Sequence, residues 1–152
     1  MVPLLREKLR AIVPTAVSSP QAGRLLQECL GGCPWRVSVA SMLLCRTTRR
    51  QAEPALLELL RRWPGPEFLC RADLLEVESV VRPCGLYRNR ARQLTRFSSL
   101  WLGDGWEDLR DLCGVGVYVA DAVGLVCLGC TELESKDHAL RSLADRYARE
   151  AT

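Results

Sequence analysis

Lysine is nearly absent from this sequence: of 21 basic residues only Lys8 and Lys136 are lysines, and the others are arginines. Covalent chemistry through a side-chain amine is thereby confined to two positions. Histidine is scarcer still, with His138 alone, which excludes a histidine-rich metal centre. No apolar run is long enough to span a bilayer. The opening Met1-Val2-Pro3-Leu4-Leu5-Arg6-Glu7-Lys8 lacks the pattern of a signal peptide. These absences predict a soluble, intracellular protein with no membrane partner. Strand-like alternation is also rare, while Leu, Ala, Arg and Glu recur at helical spacing, so the expected fold is all-α. Acidic residues are missing from Ser79 to Gly103, where Arg82, Arg88, Arg90, Arg92 and Arg96 all fall. That stretch predicts a basic face on a chain whose net charge is only +3.

A chain of 152 residues fits a single domain that buries roughly two-thirds of its unfolded surface. The eight cysteines are scattered through helical patterns and read as reduced, buried thiols. Cys127 and Cys130 have metal-ligand spacing, but Cys29, Cys33 and the lone His138 complete no convincing ligand set, so no metal is expected.

Leu4, Leu5, Leu9, Ile12 and Val13 predict a first helix ending at Pro14. Ser19-Pro20 resembles an N-cap followed by proline at the first helical position, opening a helix through Leu30 that Gly31-Gly32 ends. A third helix, Trp35 to about Cys45, is apolar on nearly every side and should be central. Arg46-Thr47-Thr48-Arg49-Arg50 then either presents charge from a rigid base or forms a solvated helix end with Thr48 as cap. Further helices are expected over Arg49–Trp63, from the Asp73 cap through Val81, after Tyr87 to about Leu102, over Trp106–Leu112, Tyr118–Leu128 and His138 to about Ala148.

Three stretches carry chemistry. Leu112-Cys113-Gly114-Val115-Gly116-Val117-Tyr118 reads as the turn of a helix-hairpin-helix, whose glycines let the backbone approach another molecule and whose second helix turns its positive end outward. A DNA phosphate suits that turn; two helices packed on a glycine pair would give the same pattern. Gly85-Leu86-Tyr87 reads as a turn before a helix with arginines in its first turns. An exposed leucine there can wedge between base pairs while arginines hold phosphates, or Leu86 and Tyr87 can pack inward. Asp137 stands at a helix start, where a carboxylate caps the helix and is held rigidly. Asp121 is expected to be a structural hydrogen-bonder.

Together these stretches resemble the helix-hairpin-helix DNA glycosylase superfamily that includes endonuclease III and the adenine mismatch glycosylase. Leu-x-Gly-Val-Gly, an upstream Gly-Leu-Tyr and a downstream Asp occur in the family's order, with nineteen residues from Tyr118 to Asp137. Within it the likeness is to the glycosylase domain of the thymine and uracil mismatch glycosylases that carry a methyl-CpG-binding domain. It runs from Gln27 to Tyr147 through Pro34-Trp35, Arg46-Thr47, Arg71-Ala72-Asp73, Gly85-Leu86-Tyr87, Phe97-Ser98 and Asp137-His138. No methyl-CpG-binding domain is recognisable in this chain.

The resemblance implies two helical subdomains with the active site in the cleft between them. It implies Asp137 as catalytic carboxylate, Tyr118 as a pocket residue against a flipped base and Gln27 as a hydrogen-bonder to that base's edge. Arg46 and Leu86 would fill the gap the base leaves, with Thr47, Tyr87, Arg88, Arg90, Gly114 and Gly116 on DNA. His138 would contact phosphate or merely cap its helix. No cysteine follows Asp137, so no iron–sulfur cluster is expected, and the one cofactor candidate is a monovalent cation at Cys113 to Gly116. The lysine of the strand-cleaving relatives is replaced by Tyr118, which predicts a monofunctional enzyme acting as a monomer on duplex DNA with G·T or G·U mismatches, in the nucleus if the organism is eukaryotic. Two alternatives stay open: a DNA-binding module without chemistry, and a glycosylase for another base, either a mismatched adenine or a damaged pyrimidine.

Overall fold

The computed structural model describes residues 2–152, and of its eight α-helices two are apolar on nearly every side and form the centre. These are α2 (Pro34–Leu44) and α7 (Val117–Leu128), which pack against each other over their length. They run antiparallel, since Cys33 before α2 neighbours Cys127 near the end of α7, while Leu44 and Cys45 share a cleft with Tyr118. A helix without a polar face is stable only when covered on every side. The cover comes from α3 (Arg49–Arg62) and α6 (Tyr87–Leu102), which pack on α2, and from α4 (Pro66–Leu69) and α5 (Leu74–Val81), which pack on α6. A 3-10 turn at Leu26–Cys29 packs on both α2 and α7, α8 (His138–Glu150) packs on α7, and α1 (Arg6–Ala11) is tied through Arg10 to the end of α6. The expected all-α architecture is therefore present, and among the described residues no strand forms beyond an isolated bridge between Leu5 and Asp108.

The local rules hold at several helix starts. Thr48 accepts from the Gln51 N–H and caps α3, and Asp73 accepts from Leu75 and Glu76 to cap α5. Pro34 opens α2 at a position where its missing N–H costs nothing.

Two expected helices are not there. The segment from Ser19 to Leu30 contains only the 3-10 turn Leu26–Cys29. Residues 15–18 instead run extended beside residues 29–31, with the Thr15 N–H donating to the Gly31 carbonyl and the Ser18 N–H to the Cys29 carbonyl, each at 2.9 Å. Gly31 permits this contact: at φ +65°, a Cβ there would fall 2.0 Å from the Thr15 oxygen. The first hairpin helix, expected over Trp106–Leu112, shrinks to one 3-10 turn at Leu109–Asp111. The N-terminal strap has taken its backbone groups. The Arg6 N–H donates to the Glu107 carbonyl at 2.8 Å, the Leu109 N–H to the Leu4 carbonyl at 2.9 Å, and the Leu4 N–H to the Asp108 carboxylate at 3.0 Å. Groups committed to a neighbouring segment cannot also close α-helical turns.

Trp35 and Phe97 are the largest side chains fully enclosed in the core, and the Trp35 indole N–H donates to the Ser98 hydroxyl at 3.1 Å. Truncating that hydroxyl leaves a buried donor without a partner, so Ser98→Ala should lower stability by about 1–3 kcal/mol in urea unfolding with the fold intact.

Candidate active site and DNA-facing surface

A cleft of about 580 Å³ opens where the C-terminal end of α2, the start of α7, the Leu26–Cys29 turn and the start of α8 meet. Leu26, Gln27, Cys45, Arg46, Tyr118 and Asp137 are among the residues that line it. This position matches the expected cleft between two helical groups.

Asp137 is the N-cap of α8, with one carboxylate oxygen, Oδ2, accepting from the Leu140 N–H at 3.0 Å. Its own N–H donates to the Ser135 hydroxyl at 3.0 Å. The loop that carries it is pinned from beneath by Asp121, a buried residue of α7 whose carboxylate accepts from the N–H groups of Glu134 at 3.0 Å and Ser135 at 2.6 Å. Asp121 is thus the structural hydrogen-bonder expected, and through Ser135 it fixes where Asp137 stands. Sequence spacing gave no sign of Ser135's part in this relay.

Gln27 is buried, and its amide donates to the Tyr118 hydroxyl at 2.9 Å and reaches the Ser41 hydroxyl at 3.5 Å. The residues expected to contact a flipped base therefore meet across the cleft floor. Burial pushes the Tyr118 phenol up to about 12, the neighbouring Asp137 and Cys45 add to the rise, and the Gln27 hydrogen bond opposes it. Tyr118 is a neutral hydroxyl at physiological pH. Burial also raises the Cys45 thiol, against the pull of Arg90 and Arg46. Glu28, next to Gln27, caps its own turn through the Leu25 N–H at 2.8 Å and pairs with Arg146 of α8 at 2.7 Å. That ion pair joins the two sides of the cleft, and nothing in the sequence marked it.

At the mouth of the cleft, Arg46 is exposed and has φ +57°. Leu86 is also exposed and left-handed, at φ +48°, and stands at the start of α6. Tyr87, expected to be exposed, is half-buried, with the Arg82 guanidinium 4.6 Å and the Arg88 guanidinium 5.8 Å from its ring centre. Arg88 and His138 are exposed. In the hairpin turn Gly114 has φ +83° and backs onto Gln93, whereas nothing lies within 4 Å of the place where a Cβ of Gly116 would be. The backbone at Gly116 is open to an approaching molecule. No side chain caps the start of α7, so its first N–H groups also remain available.

Arg90 departs from expectation. Placed with the DNA-contacting arginines by sequence, it is buried, and its guanidinium donates to the carbonyls of Gly85 at 2.9 Å, Met42 at 2.9 Å and Cys45 at 2.7 Å and to the Thr47 hydroxyl at 3.3 Å. Four of its five N–H groups are thereby committed inside the protein. The signal was available in the helical register, because Arg90 precedes Leu94 by four residues and Phe97 by seven and so shares their buried face. Among the described residues no three His, Cys, Asp or Glu side chains cluster as metal ligands, and no helix is long and apolar enough to cross a membrane.

The chain is 32% identical over 117 residues to a methyl-CpG-binding domain protein 4-like protein of Arabidopsis thaliana, covering 76% of this chain and 26% of the relative. It is 36% identical over 106 residues to a thymine-DNA glycosylase of Aeropyrum pernix, covering 65% of this chain and 48% of that one. A thymine/uracil-DNA glycosylase of Pyrobaculum aerophilum is 35% identical over 108 residues, with 66% and 47% covered. The chain thus spans between a quarter and a half of the length of these relatives. In three dimensions it is similar to a thermostable thymine-DNA glycosylase, with TM-score 0.59 and 23% identity over 64% of this chain and 48% of the other. It is also similar to endonuclease III in a non-covalent DNA complex, with TM-score 0.62 and 24% identity over 70% and 53%. The HhH-GPD superfamily of base excision DNA repair proteins matches residues 39–148, and the chain belongs to that family.

Proposed function

We propose that the protein is a monofunctional DNA glycosylase that flips thymine or uracil mispaired with guanine out of the duplex and hydrolyses its N-glycosidic bond. The observation that carries this reading is the convergence of Asp137 with the Gln27–Tyr118 pair in one cleft of about 580 Å³, ample for a single base. The Gln27 amide directs its N–H groups to Tyr118 and Ser41 and keeps its carbonyl oxygen as an acceptor, which suits the N–H on the edge of a pyrimidine such as thymine or uracil. The bond from sugar C1′ to the base breaks through a state with positive charge on the sugar, which the fixed carboxylate of Asp137 stabilises, or Asp137 orients the attacking water. Water's oxygen joins C1′ and its proton leaves with the base, which yields an abasic site. Extrusion is least costly for a mispaired base, which favours mismatches over intact pairs.

The scarcity of amines supports a single activity. Strand cleavage by a glycosylase proceeds through an amine that forms a Schiff base. The cleft-lining residues include no lysine; Lys136 is exposed beside Asp137, and Lys8 lies on α1. Around the cleft, Arg46 and Leu86 would fill the vacated stack, with Thr47, Tyr87, Arg88, His138 and the backbone at Gly114 and Gly116 toward the DNA backbone. The half-buried turn Cys113 to Gly116 carries no charged or hydroxyl side chain, so a cation there would rest on backbone carbonyls, a donor type suited to a monovalent cation.

A single-turnover assay on G·T and G·U duplexes, read with and without alkali, tests the proposal. Product is expected only after alkali, and Asp137→Asn should slow its formation by about 10³-fold or more. Cleavage without alkali would overturn the monofunctional reading. Binding without excision of either base would favour a DNA-binding module or a glycosylase for another base.

Asp137 also caps α8, and the two roles separate by substitution. Asn keeps a capping oxygen and Ala does not, so Asp137→Ala should unfold at lower urea with a loss of about 0.5–2 kcal/mol while Asp137→Asn stays close to the parent.

A further inference from the structure

We propose that Arg90 is a positioning residue that holds the two gap-filling side chains, Arg46 and Leu86, in the backbone conformation that presents them to the duplex. This rests on the reading of Arg46 and Leu86 given above. Among the described residues they are the two non-glycine residues with positive φ, at +57° and +48°. The left-handed region is unfavourable for arginine and more so for a leucine, and such conformations persist only where the surroundings over-determine them. Arg90 supplies the constraint at both. Its Nε–H holds the carbonyl of Gly85, the residue before Leu86, and its Nη2 group holds the carbonyl of Cys45, the residue before Arg46. The same guanidinium reaches the Thr47 hydroxyl on the far side of Arg46 and the Met42 carbonyl inside α2.

One planar group thus joins the turn before α6 to the end of α2, two segments some forty residues apart in sequence. The fork of a guanidinium can span carbonyls lying in different directions; a lysine ammonium, a single point of charge, cannot hold all of them at once. Removing a guanidinium from water is costly, and core packing alone would be served as well by an apolar side chain. The arrangement makes Arg46 and Leu86 one rigid unit, so the insertion of both requires no ordering at the moment of flipping.

The test reads flipping apart from chemistry. A duplex carries 2-aminopurine beside the thymine of a G·T mismatch, and its fluorescence is measured with saturating full-length protein bearing Asp137→Asn. Adding Arg90→Lys should reduce the flipped fraction relative to the stacked one by about tenfold, the scale of losing charge-assisted hydrogen bonds. In an Arg46→Ala, Leu86→Ala background the same change should have no further effect, because Arg90 acts through those residues. Equal loss in both backgrounds, or no loss in the first, overturns the inference. Should the variant not fold, nitrogen-15 NMR of the parent protein decides: a slowly exchanging Arg90 Nε–H supports the staple, and exchange at the rate of an exposed arginine overturns it. A flipping signal without excision of thymine or uracil by the parent protein would sink the proposed activity and leave Arg90's role standing. No flipping signal at all would overturn both.

Discussion

The packing of α2 against α7 is the constraint from which the remaining structure follows. Each helix is apolar around nearly its whole circumference, so each must be enclosed, and together they make a core that α3 to α6 close on one side. The antiparallel arrangement brings the last residues of α2 and the first residues of α7 to the same end. Helix ends are where side chains and unpaired backbone groups face outward, so Cys45 to Thr47 and Gly116 to Tyr118 gather there. The cleft is the uncovered end of the core, with α8 and the Leu26–Cys29 turn as its remaining walls.

Polar groups at this end are held by a few connections, those of Asp121 and Arg90 buried and that of Glu28 partly so. Asp121 holds the loop before Asp137, Glu28 joins the Leu26–Cys29 turn to Arg146 of α8, and Arg90 ties the α6 turn to the end of α2. Each links segments that share no secondary structure. In a low-dielectric interior a hydrogen-bonded charge is costly to leave unpaired, so such links define one geometry sharply. A site that acts on a base outside the stack needs that definition, because small displacements of a reacting group slow chemistry severely.

What could be read from the sequence was whatever depends on neighbours along the chain. The Thr48 and Asp73 caps, the apolar α2, the hairpin glycines and Asp137 before α8 obey short-range rules, and they lie where those rules put them. The missing helices were lost to long-range competition: the backbone of residues 107–109 is bonded to Leu4 and Arg6, and residues 15–18 to residues 29–31. Arg90 was misassigned because five arginines in one stretch look alike by composition, and only the face each occupies on α6 separates them. Gln27 and Tyr118 came from resemblance alone; a contact across 91 residues has no local signature.

The strap formed by residues 2–10 has a kinetic consequence. Leu4 is buried, its N–H bonds to Asp108 across 104 residues of chain, and Arg10 reaches the Trp101 and Gly103 carbonyls. Closing so long a loop raises the entropic cost only slowly with its length. It does raise the average sequence separation of native contacts, which slows folding. During synthesis residues 2–10 emerge about a hundred residues ahead of their partners at 101–109. The approach to the hairpin is therefore completed late, after the helices from α2 to α6 have had the opportunity to pack on local contacts.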